Sequence, residues 1–336
     1  MTLVVPVRGQ AATLEPLLCS LEAQVDAEGI PFDVVVVDDA SERPLAPSLE
    51  RRADRGLSLR VVRRDENGGP GAARNSGLAV VDTPWVAFLD ADVVPASDWL
   101  QRLTGLVEPL DAPDVIEGRT SIGGDQPATP FAHATEIVPP QQRGAGNLIC
   151  RTEVLRSVGG FDERFYDVGR RVHFREDADL LFRLEDAGCR FGFAPELIVV
   201  HPPLEPSFWT PVKLARRYYF DPLLGREHPV AFAELNESRR VGPMSLRRAR
   251  HDAALLLVGG SVAATAGVVT RRAAVTRAGV AAILVGWVAN VLALAWRKEV
   301  RLRDAVPLAA VSLLVPWAYL SSYWRGVVHF RHRPRL

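Results

Sequence analysis

The chain has 336 residues, of which 48% are hydrophobic and 24% are charged, a composition that excludes a disordered chain and a collagen-like repeat. Its 40 Lys and Arg equal its 40 Asp and Glu, but 16 basic and only 3 acidic residues lie from Arg239 onward, against 24 basic and 37 acidic ones before it. Because the basic part is also the most apolar, this pattern favours a membrane as partner over a nucleic acid.

The cysteines and the amino terminus both bear on the cellular compartment. Cys19, Cys150 and Cys189 are odd in number and lack the spacing of a metal site or a CxxC pair, which predicts buried, reduced thiols in a domain that faces the cytosol. Met1 is followed directly by a short strand-like run that is too short for a secretory signal. We therefore expect the N-terminal part to stay in the cytoplasm.

Residues 1 to about 205 alternate short β-branched runs with amphipathic stretches. The predicted strands are Leu3–Val5, Asp33–Val37, Leu59–Val62 and Trp85–Leu89, and the predicted helices cover Leu14 to Leu21, Ala72–Val80 and Trp99–Val107. Strand, helix and strand in this order predict βαβ crossovers and a parallel sheet, whose ligands bind beyond the carboxyl ends of the strands. Functional side chains are therefore expected directly after the strands.

Two segments that follow strands carry groups suited to a nucleotide. Asp38 and Asp39 end the second strand, where a carboxylate can accept a hydrogen bond from a base N–H or a ribose hydroxyl, or can simply stabilise a turn. Residues 67–77 predict a tight Gly-rich loop that leads into a helix, with Arg74 in its first turns, where N–H groups and a cation favour phosphate. The loop is neither a GxGxxG nor a Walker sequence, which disfavours a Rossmann dehydrogenase and a P-loop NTPase.

Two further pairs of acidic residues have the positions of catalytic or metal-binding groups. Asp90 and Asp92 form a DxD motif at a strand end, which suits a divalent cation that also takes diphosphate oxygens. Glu176 and Asp177 open a helix whose leucines face the core, so their carboxylates can face a site. The alternative for this second pair is that it only complements the helix dipole.

The last part of the chain has a different character. Uncharged stretches at about 253–270, 278–296 and 305–324 are each long enough to span roughly 30 Å of hydrocarbon as helices, although buried helices of a soluble domain are the alternative. Residues 206–250 mix aromatic and basic side chains, as in a helix at lipid headgroup level or in a linker helix packed on the globular part. The predicted organisation is a catalytic domain at 1–205, interfacial or linker helices at 206–250, and transmembrane helices with a basic tail at 251–336.

Taken together, residues 1 to about 205 resemble a family 2 glycosyltransferase of the GT-A fold. The resemblance is carried by Val5-Pro6-Val7, by VVDDAS, GGPGAARNSGL and FLDADVVP, and by residues 144–165 and 175–188. It implies an α/β domain with a mixed, mostly parallel sheet flanked by helices, followed here by an α-helical transmembrane region. It also implies an inverting enzyme of the hexosyltransferase type that uses a nucleotide-diphosphate sugar donor and Mg²⁺ or Mn²⁺.

The resemblance assigns a role to each matching residue. The donor would be bound by Pro6, Val7, Asp39, Arg74 and Asp90, the metal by Asp92 and His201, and the catalytic groups would be Asp177 and Glu176. Within this set Asp39 would hold the nucleobase and Asp177 would be the base that deprotonates the acceptor hydroxyl, because inversion needs one base and one cation for the leaving diphosphate. A packing role is the alternative for His201.

Two local features bear on the acceptor. The QxxRW signature of processive members is absent, since residues 214–218 lack the Gln and the Trp, which favours transfer of a single sugar. The Arg- and Tyr-rich segment and the PLLGREHP sequence after it weakly resemble actinobacterial glycosyltransferases of the mycofactocin type. The acceptor is thus left open among a lipid-linked molecule, a glycolipid and a small or peptide-derived molecule.

We expect a multi-pass protein of the cell membrane, with a cytoplasmic catalytic domain, membrane lipid as a partner and no nucleic-acid partner. Two other functions stay open from the sequence. One is an enzyme like a sugar nucleotidyltransferase, and the other is a non-catalytic, membrane-anchored scaffold that binds nucleotide sugars.

Overall fold

The computed structural model describes residues 1–9, 11–28, 32–49, 57–123, 129–132, 136–139, 144–202, 205–235, 239–241, 244–246, 249–296 and 298–331. The chain divides into two compact units, one of residues 1–124 and 134–203 and one of residues 125–133 and 204–336. Several basic residues counted in the predicted tail lie outside the described residues, namely Arg247, Arg248, Arg297, Arg333 and Arg335.

The first unit contains ten strands and six α-helices within its described residues. The strands are β1 (Thr2–Val7), β2 (Asp33–Asp38), β3 (Ser58–Arg63), β4 (Trp85–Leu89), β5 (Val94–Pro95), β6 (Val115–Ile122), β7 (Asn147–Arg151), β8 (Tyr166–Asp167), β9 (Val172–His173) and β10 (Phe191–His201). The helices are α1 (Glu15–Glu28), α2 (Ala46–Leu49), α3 (Gly69–Leu78), α4 (Trp99–Val107), α5 (Thr152–Ser157) and α6 (Glu176–Asp186). Helix α3 begins three residues before the predicted start, because Pro70 is tolerated in a first turn, where its missing N–H is not needed.

Eight of these strands form one mixed sheet, in the order β3-β2-β1-β4-β7-β6-β10-β5. Strands β3, β2, β1 and β4 run parallel, as do β6 and β10, whereas β7 is antiparallel to both β4 and β6. The carboxyl ends of β1, β2, β4 and β10 therefore lie at the same edge of the sheet, and so does the beginning of β7. This edge brings together segments that are far apart in the sequence.

Both faces of the sheet are covered by helices. Along β1, Leu3 and Val5 pack with residues of α1 and α4, whereas Val4 lies on the other face with residues of α3 and α6. Side chains alternate along a strand, so a strand that is apolar throughout must be buried on both sides. The β-branched runs of the sequence have this property, and it fixes the strand ends relative to α3 and α6.

The second unit is mainly helical. Its α-helices and strands are α7 (Thr210–Arg216), α8 (Asp221–Glu227), α9 (Pro229–Leu235), β11 (Arg239–Val241), β12 (Met244–Leu246), α10 (Ala249–Val269), α11 (Ala273–Ala295) and α12 (Ala305–Phe330). The spans His251–Val269, Ala273–Ala295 and Leu302–Phe330 are long and apolar enough to cross a membrane, with mean hydropathies of 1.7, 2.1 and 1.5. The second and third continue beyond the predicted stretches, past Arg277 and Arg325, because helical hydrogen bonds do not stop at the first charge.

Close contacts hold the long helices together. Glycines let α10 and α11 approach closely: a Cβ atom on Gly260 would lie only 2.8 Å from the carbonyl oxygen of Gly279. Between α11 and α12, the buried Asn290 donates from Nδ2 to the Ser312 carbonyl at 2.5 Å, and Trp287 Nε1 donates to the Ala309 carbonyl at 3.0 Å. These hydrogen bonds satisfy polar groups that would find no hydrogen-bond partner among lipid tails.

The aromatic residues between α7 and α8 pack on the end of α12. The ring centroids of Tyr219 and Phe220 lie 5.3 and 6.0 Å from that of Phe330, and both residues are buried. Trp209, directly before α7, is 53% exposed. Of the aromatic residues predicted for a headgroup-level helix, Trp209 is therefore exposed and these two are buried in the protein.

Candidate active site

Asp38 and Asp39, which are adjacent in the sequence, have different surroundings. The buried Asp38 carboxylate accepts hydrogen bonds from the backbone N–H groups of Ser41 (2.8 Å) and Leu45 (3.2 Å) and from the Arg63 guanidinium (2.5 Å). Burial acts to raise the pKa of Asp38, but these hydrogen bonds outweigh it and the pKa is lowered. Asp38 thus stabilises the turn that follows β2.

The Asp39 carboxylate reaches the Gly-rich loop before α3. Its Oδ1 accepts hydrogen bonds from Arg64 Nε (3.0 Å) and the Gly68 N–H (2.9 Å), and its Oδ2 accepts one from the Gly69 N–H (2.8 Å). Its backbone N–H donates to the Val7 carbonyl at 2.9 Å. Asp39 therefore connects the ends of β1 and β2 to the start of α3. It accepts hydrogen bonds from the N–H groups of Gly68 and Gly69, in the loop where the sequence predicts N–H groups that favour phosphate.

A cavity of about 220 Å³ opens beside Asp39. This is smaller than the roughly 300–1,000 Å³ of pockets for drug-sized ligands, so it suits one part of a nucleotide rather than a whole nucleotide sugar. Its walls include an aromatic ring, two prolines and several polar groups, from Pro6, Val7, Asp39, Asn67, Pro70 and Tyr166. Three of the predicted donor-binding residues thus share one cavity.

The other two predicted donor-binding residues, Arg74 and Asp90, form an ion pair with each other. Arg74 is buried, and its Nη2 lies 2.6 Å from Asp90 Oδ1, whose side chain is 39% exposed. The Arg74 guanidinium is 5.3 Å from the ring centroid of Phe161. Its positive charge also acts to lower the pKa of both Glu176 and Asp177. Arg74 therefore connects the DxD segment electrostatically with the acids of α6.

Asp92 and His201 face each other across the sheet edge. Asp92 Oδ2 lies 3.5 Å from His201 Nε2, and His201 Nδ1 lies 2.7 Å from the Pro202 carbonyl oxygen. Because a carbonyl oxygen only accepts, Nδ1 carries the proton, and a neutral imidazole then directs its Nε2 lone pair at the carboxylate. The Asp92 oxygen and the His201 nitrogen, each with a lone pair directed at the other, can share a proton or bind a cation between them.

The donor set of this pair fits an incomplete divalent-cation site. Burial raises the pKa of Asp92; the positive charge of His201, when that imidazole is protonated, opposes this rise, and the charge of Asp90 adds to it. No group of three or more His, Cys, Asp or Glu side chains suited to a metal occurs in the part of the chain that the structure describes. A cation between Asp92 and His201 would therefore need additional oxygen ligands, which Mg²⁺ and Mn²⁺ commonly take from substrate phosphates.

Glu176, the first residue of α6, is a buried carboxylate with one hydrogen-bonded oxygen. Its Oε1 lies 3.1 Å from His173 Nδ1, whereas its Oε2 is buried and has no hydrogen-bond partner among the described residues. Burial acts to raise the pKa of Glu176, but the hydrogen bond and charge of His173 and the charge of Arg74 lower it overall. Glu176 therefore places a negative charge directly beside Asp177.

Asp177 has the properties of a general base. Its Oδ1 accepts a hydrogen bond from the Ala178 N–H at 2.7 Å. Burial and the adjacent charge of Glu176 raise the pKa of Asp177 to about 6. A carboxylate with this pKa is ionised at neutral pH and is a stronger proton acceptor than an ordinary aspartate.

A short glycine segment before β7 lies against two of these acids. A Cβ atom on Gly144 would lie 3.2 Å from Asp177 Oδ2, and one on Gly146 would lie 2.8 Å from Asp90 Oδ2. The segment therefore adjoins both the DxD motif and the predicted base, and any larger side chain there would crowd one of them. The resemblance to the family includes this segment, within residues 144–165, but it did not predict the steric role.

The structure adds three residues to the predicted site. Arg64 holds Asp39, His173 holds Glu176, and the Tyr166 hydroxyl accepts a hydrogen bond from Asn67 Nδ2 at 2.6 Å. The two arginines after the third predicted strand were a usable signal for Arg64, since charges at a strand end face the site edge. Tyr166 and His173 belong to the hairpin of β8 and β9, which has no pattern in the sequence.

Comparisons with known proteins give a family match and relatives of known name. Residues 2–175 match the family described as glycosyl transferase family 2. The pre-mycofactocin glycosyltransferase of Mycobacterium tuberculosis is 33% identical over 219 residues, which cover 60% of this chain and 42% of that protein. This chain thus matches less than half the length of that relative. The succinoglycan biosynthesis protein ExoA of Rhizobium meliloti is 24% identical over 355 aligned positions, covering 98% of this chain and 96% of that protein.

Solved structures share the fold at low sequence identity. The mannosyltransferase PcManGT from Pyrobaculum calidifontis, solved in complex with GDP-Man and Mn²⁺, aligns with a TM-score of 0.51 and 19% identity over 98% of this chain and 86% of that one. TarS of S. aureus aligns with a TM-score of 0.50 and 16% identity, over 93% of this chain and 54% of that one.

Proposed function

Because the chain belongs to glycosyl transferase family 2, we propose that it transfers a single sugar, of the hexose type, from a nucleoside diphosphate to an acceptor hydroxyl, with inversion at the anomeric carbon. The family membership confirms the predicted resemblance, and the structural similarity confirms the predicted GT-A fold with C-terminal apolar helices. The observation that carries the proposal is the carboxylate of Asp177, with its pKa of about 6, in the unit that also holds the cavity at Asp39.

In this proposal the two ends of the donor bind at different parts of the sheet edge. The cavity lined by Pro6, Val7 and Asp39 takes the nucleobase, because it has the size of one ring system and an acceptor in its wall. Arg74 and Asp90 lie further along the edge, where Asp90 is exposed enough to accept from a ribose or sugar hydroxyl. Arg74 supplies a buried positive charge next to it, which favours the negatively charged donor.

Asp92 and His201 would hold Mg²⁺ or Mn²⁺ together with the donor diphosphate. The facing lone pairs of Asp92 Oδ2 and His201 Nε2, 3.5 Å apart, support this assignment. When bound, such a cation stabilises the negative charge that develops on the leaving diphosphate. His201 is oriented for this role by the bond of its Nδ1–H to the Pro202 carbonyl.

Asp177 would remove the proton from the acceptor hydroxyl as the hydroxyl oxygen attacks the anomeric carbon. The new bond forms from that oxygen, the bond to the diphosphate oxygen breaks, and the proton remains on Asp177. Glu176 acts on this step without touching the substrate, because its negative charge raises the pKa of Asp177 and makes it a better proton acceptor.

We further propose that the three long apolar helices make the chain a multi-pass membrane protein with its catalytic unit in the cytoplasm. The spans of 19, 23 and 29 residues and their hydropathy support this. The acceptor is then a lipid-linked molecule, a glycolipid or a small molecule that reaches the membrane surface, and membrane lipid is a partner. Residues 206–250 would form the connection at the level of the headgroups.

The test is a donor screen on the full-length chain in detergent with Mn²⁺. We expect release of a nucleoside diphosphate from at least one nucleotide sugar, loss of this release in Asp177→Asn, and retention of it in Asp186→Asn, which has the same change at the far end of α6. The anomeric configuration of the isolated product, determined by NMR, tests inversion.

The other functions left open by the sequence give different results in the same screen. Formation of pyrophosphate from a nucleoside triphosphate and a sugar phosphate would replace the proposal by a nucleotidyltransferase. Binding of nucleotide sugars without turnover, in the presence of lipid extracts as acceptor, would replace it by a non-catalytic scaffold.

A further inference from the structure

His173 contacts both the cavity beside Asp39 and the acids at the start of α6. Its side chain forms part of the cavity wall and is 43% exposed. Its Nδ1 also lies 3.1 Å from Glu176 Oε1. Because an ionised carboxylate only accepts, Nδ1 carries the proton of this hydrogen bond. One side chain therefore connects the cavity wall with the acid next to Asp177.

The hairpin that carries His173 is packed on the Gly-rich loop before α3. Tyr166 of β8 pairs with His173 of β9, and the Tyr166 hydroxyl accepts a hydrogen bond from Asn67 Nδ2 at 2.6 Å. The Tyr166 ring lies directly against Gly69, where a Cβ atom would be only 2.5 Å from it. The loop thus fixes the position of the hairpin, and with it the backbone of His173.

The backbone between His173 and Glu176 has an uncommon conformation. Arg175 has a φ of +78°, in the left-handed region that residues other than glycine seldom adopt. Its guanidinium lies 4.2 Å from the ring centroid of Phe174, and the residue is buried. Such a conformation persists only where the surrounding structure holds it in place. The turn that brings His173 to Glu176 is therefore imposed by the fold rather than by local preference.

The buried carboxylate of Glu176 depends on this hydrogen bond. Among the described side chains only His173 makes a hydrogen bond to it, and its Oε2 is buried with no hydrogen-bond partner among the described residues. An ionised carboxylate with so few partners is costly to bury. Loss of the bond from His173 would therefore favour the protonated form of Glu176.

We propose that His173 is a positioning residue of the transfer step, which holds the Glu176 carboxylate next to Asp177 through the hydrogen bond from Nδ1. This inference rests on the proposed function and adds to it a residue that does not touch the reacting atoms. Burial acts to raise the pKa of Glu176, and the hydrogen bond and charge of His173 oppose that rise. Burial and then the charge of Glu176 raise the pKa of Asp177. His173 therefore acts on the base through Glu176.

Other charged groups act on these acids or lie beside them and His173. They come from α3, from the residue before α6, from the segment after α5 and from the cavity wall, and they are Arg74, Arg175, Asp162, Glu163, Arg8, Asp39 and Arg171. Arg74, whose charge acts on both acids, also pairs with Asp90, so its replacement would disturb the DxD segment as well. Replacing His173 removes the bond to Glu176 without breaking that ion pair.

A matched pair of variants separates this hydrogen bond from the space that the ring fills. His173→Asn and His173→Leu introduce side chains of nearly the same shape, but only the Asn amide can donate to Glu176 in place of the imidazole Nδ1. We expect His173→Leu to lower kcat at pH 8 at least about tenfold. Its acid limb of kcat/KM should also move to lower pH, because a protonated Glu176 no longer raises the pKa of Asp177. His173→Asn should stay closer to the wild type in both measurements.

The measurements use diphosphate release by the full-length chain in detergent with Mn²⁺, and calorimetry with UDP and GDP. Both variants lose the same part of the cavity wall, so whichever of the two nucleotides binds the wild type should bind them with equal affinity. In a Glu176→Gln background, His173→Leu should cause no further shift of the acid limb, because the charge on which it acts is absent. If His173→Leu does not fold, His173→Met takes its place, since it also lacks a donor.

Equal kcat values for the Asn and Leu variants would overturn the positioning role, and so would an acid limb of His173→Leu that stays at the wild-type pH. A further shift in the Glu176→Gln background would overturn it as well, because His173 would then act by another route. If the wild type releases a nucleoside diphosphate from a nucleotide sugar while any of these results is found, the proposed function holds and only the role of His173 fails. If the wild type releases none, both fail.

Discussion

Replacing Asp177 by Asn should remove the catalytic base and at the same time stabilise the folded chain at alkaline pH. In the fold, burial and Glu176 raise the pKa of Asp177 from 3.8 to about 6. A raised pKa means that the fold disfavours the ionised form relative to the unfolded chain. Asn is uncharged, and its side-chain oxygen can still accept the hydrogen bond from the Ala178 N–H.

The size of the effect follows from the difference between the two pKa values, which is about 2. At 1.36 kcal/mol for each pKa unit, ionised Asp177 costs the fold about 3 kcal/mol. This cost is absent below about pH 3.8, grows between pH 3.8 and 6, and is complete above pH 6. Asp177→Asn should therefore gain about 3 kcal/mol at pH 8 and about half as much at pH 5.

Thermal unfolding followed by tryptophan fluorescence, on the full chain in detergent without nucleotide, measures this gain. For domains of 150–250 residues, 1 kcal/mol corresponds to about 2–4 °C in Tm, so we expect a rise of about 6–12 °C at pH 8 and about half of that at pH 5. Asp186→Asn should show no such difference between the two pH values. The same Asp177→Asn sample should lose at least about 100-fold in transfer rate. A variant that unfolds at or below the wild-type temperature at pH 8, or that keeps the wild-type rate, would refute this reasoning.

Three further outcomes are expected. The kcat/KM of the wild type should fall about tenfold per pH unit below the pKa of Asp177, about 6, and a profile that is flat down to pH 5 would exclude this base. Asp92→Asn should weaken Mn²⁺ binding in the presence of a nucleoside diphosphate by at least about tenfold, measured by electron paramagnetic resonance; unchanged Mn²⁺ affinity would exclude Asp92 as a ligand. Gly146→Ala places a Cβ atom 2.8 Å from Asp90 Oδ2 and should lower donor affinity in calorimetry, unlike Gly105→Ala, whose Cβ meets open space; equal affinities would contradict the crowding.

The position of the candidate site could be predicted because parallel strands all end at the same edge of their sheet. Asp39, Asp92 and His201 lie far apart in the sequence, yet each follows or ends a strand whose carboxyl end lies at one edge. Buried apolar runs identify such strands, and the edge then assembles the polar residues that follow them. The acids at the start of α6 were predictable for a similar reason, since the helix leucines indicate which face is buried.

Long-range pairing explains what the sequence did not show. Asp38 and Asp39 are identical neighbours, and their different roles depend on whether each one meets Arg63, the last residue of β3, or Arg64, which directly follows that strand. The hairpin that carries Tyr166 has only two residues in each strand, too few for a periodic pattern. The steric constraint at Gly146 depends on a contact with Asp90 that is visible only once β7 lies beside β4.

The length of α12 has a consequence for the helices around it. At 1.5 Å per residue its 26 residues measure about 39 Å, about 9 Å more than the hydrocarbon layer of a typical bilayer. In a membrane the helix must therefore either tilt or project from the lipid. Its last residues make the aromatic contacts to Tyr219 and Phe220. A projecting end would therefore hold the segment between α7 and α8 at a fixed distance from the lipid. The number of turns in α12 would then set how far α7 and α8 stand above the acyl chains, at the depth where lipid headgroups lie.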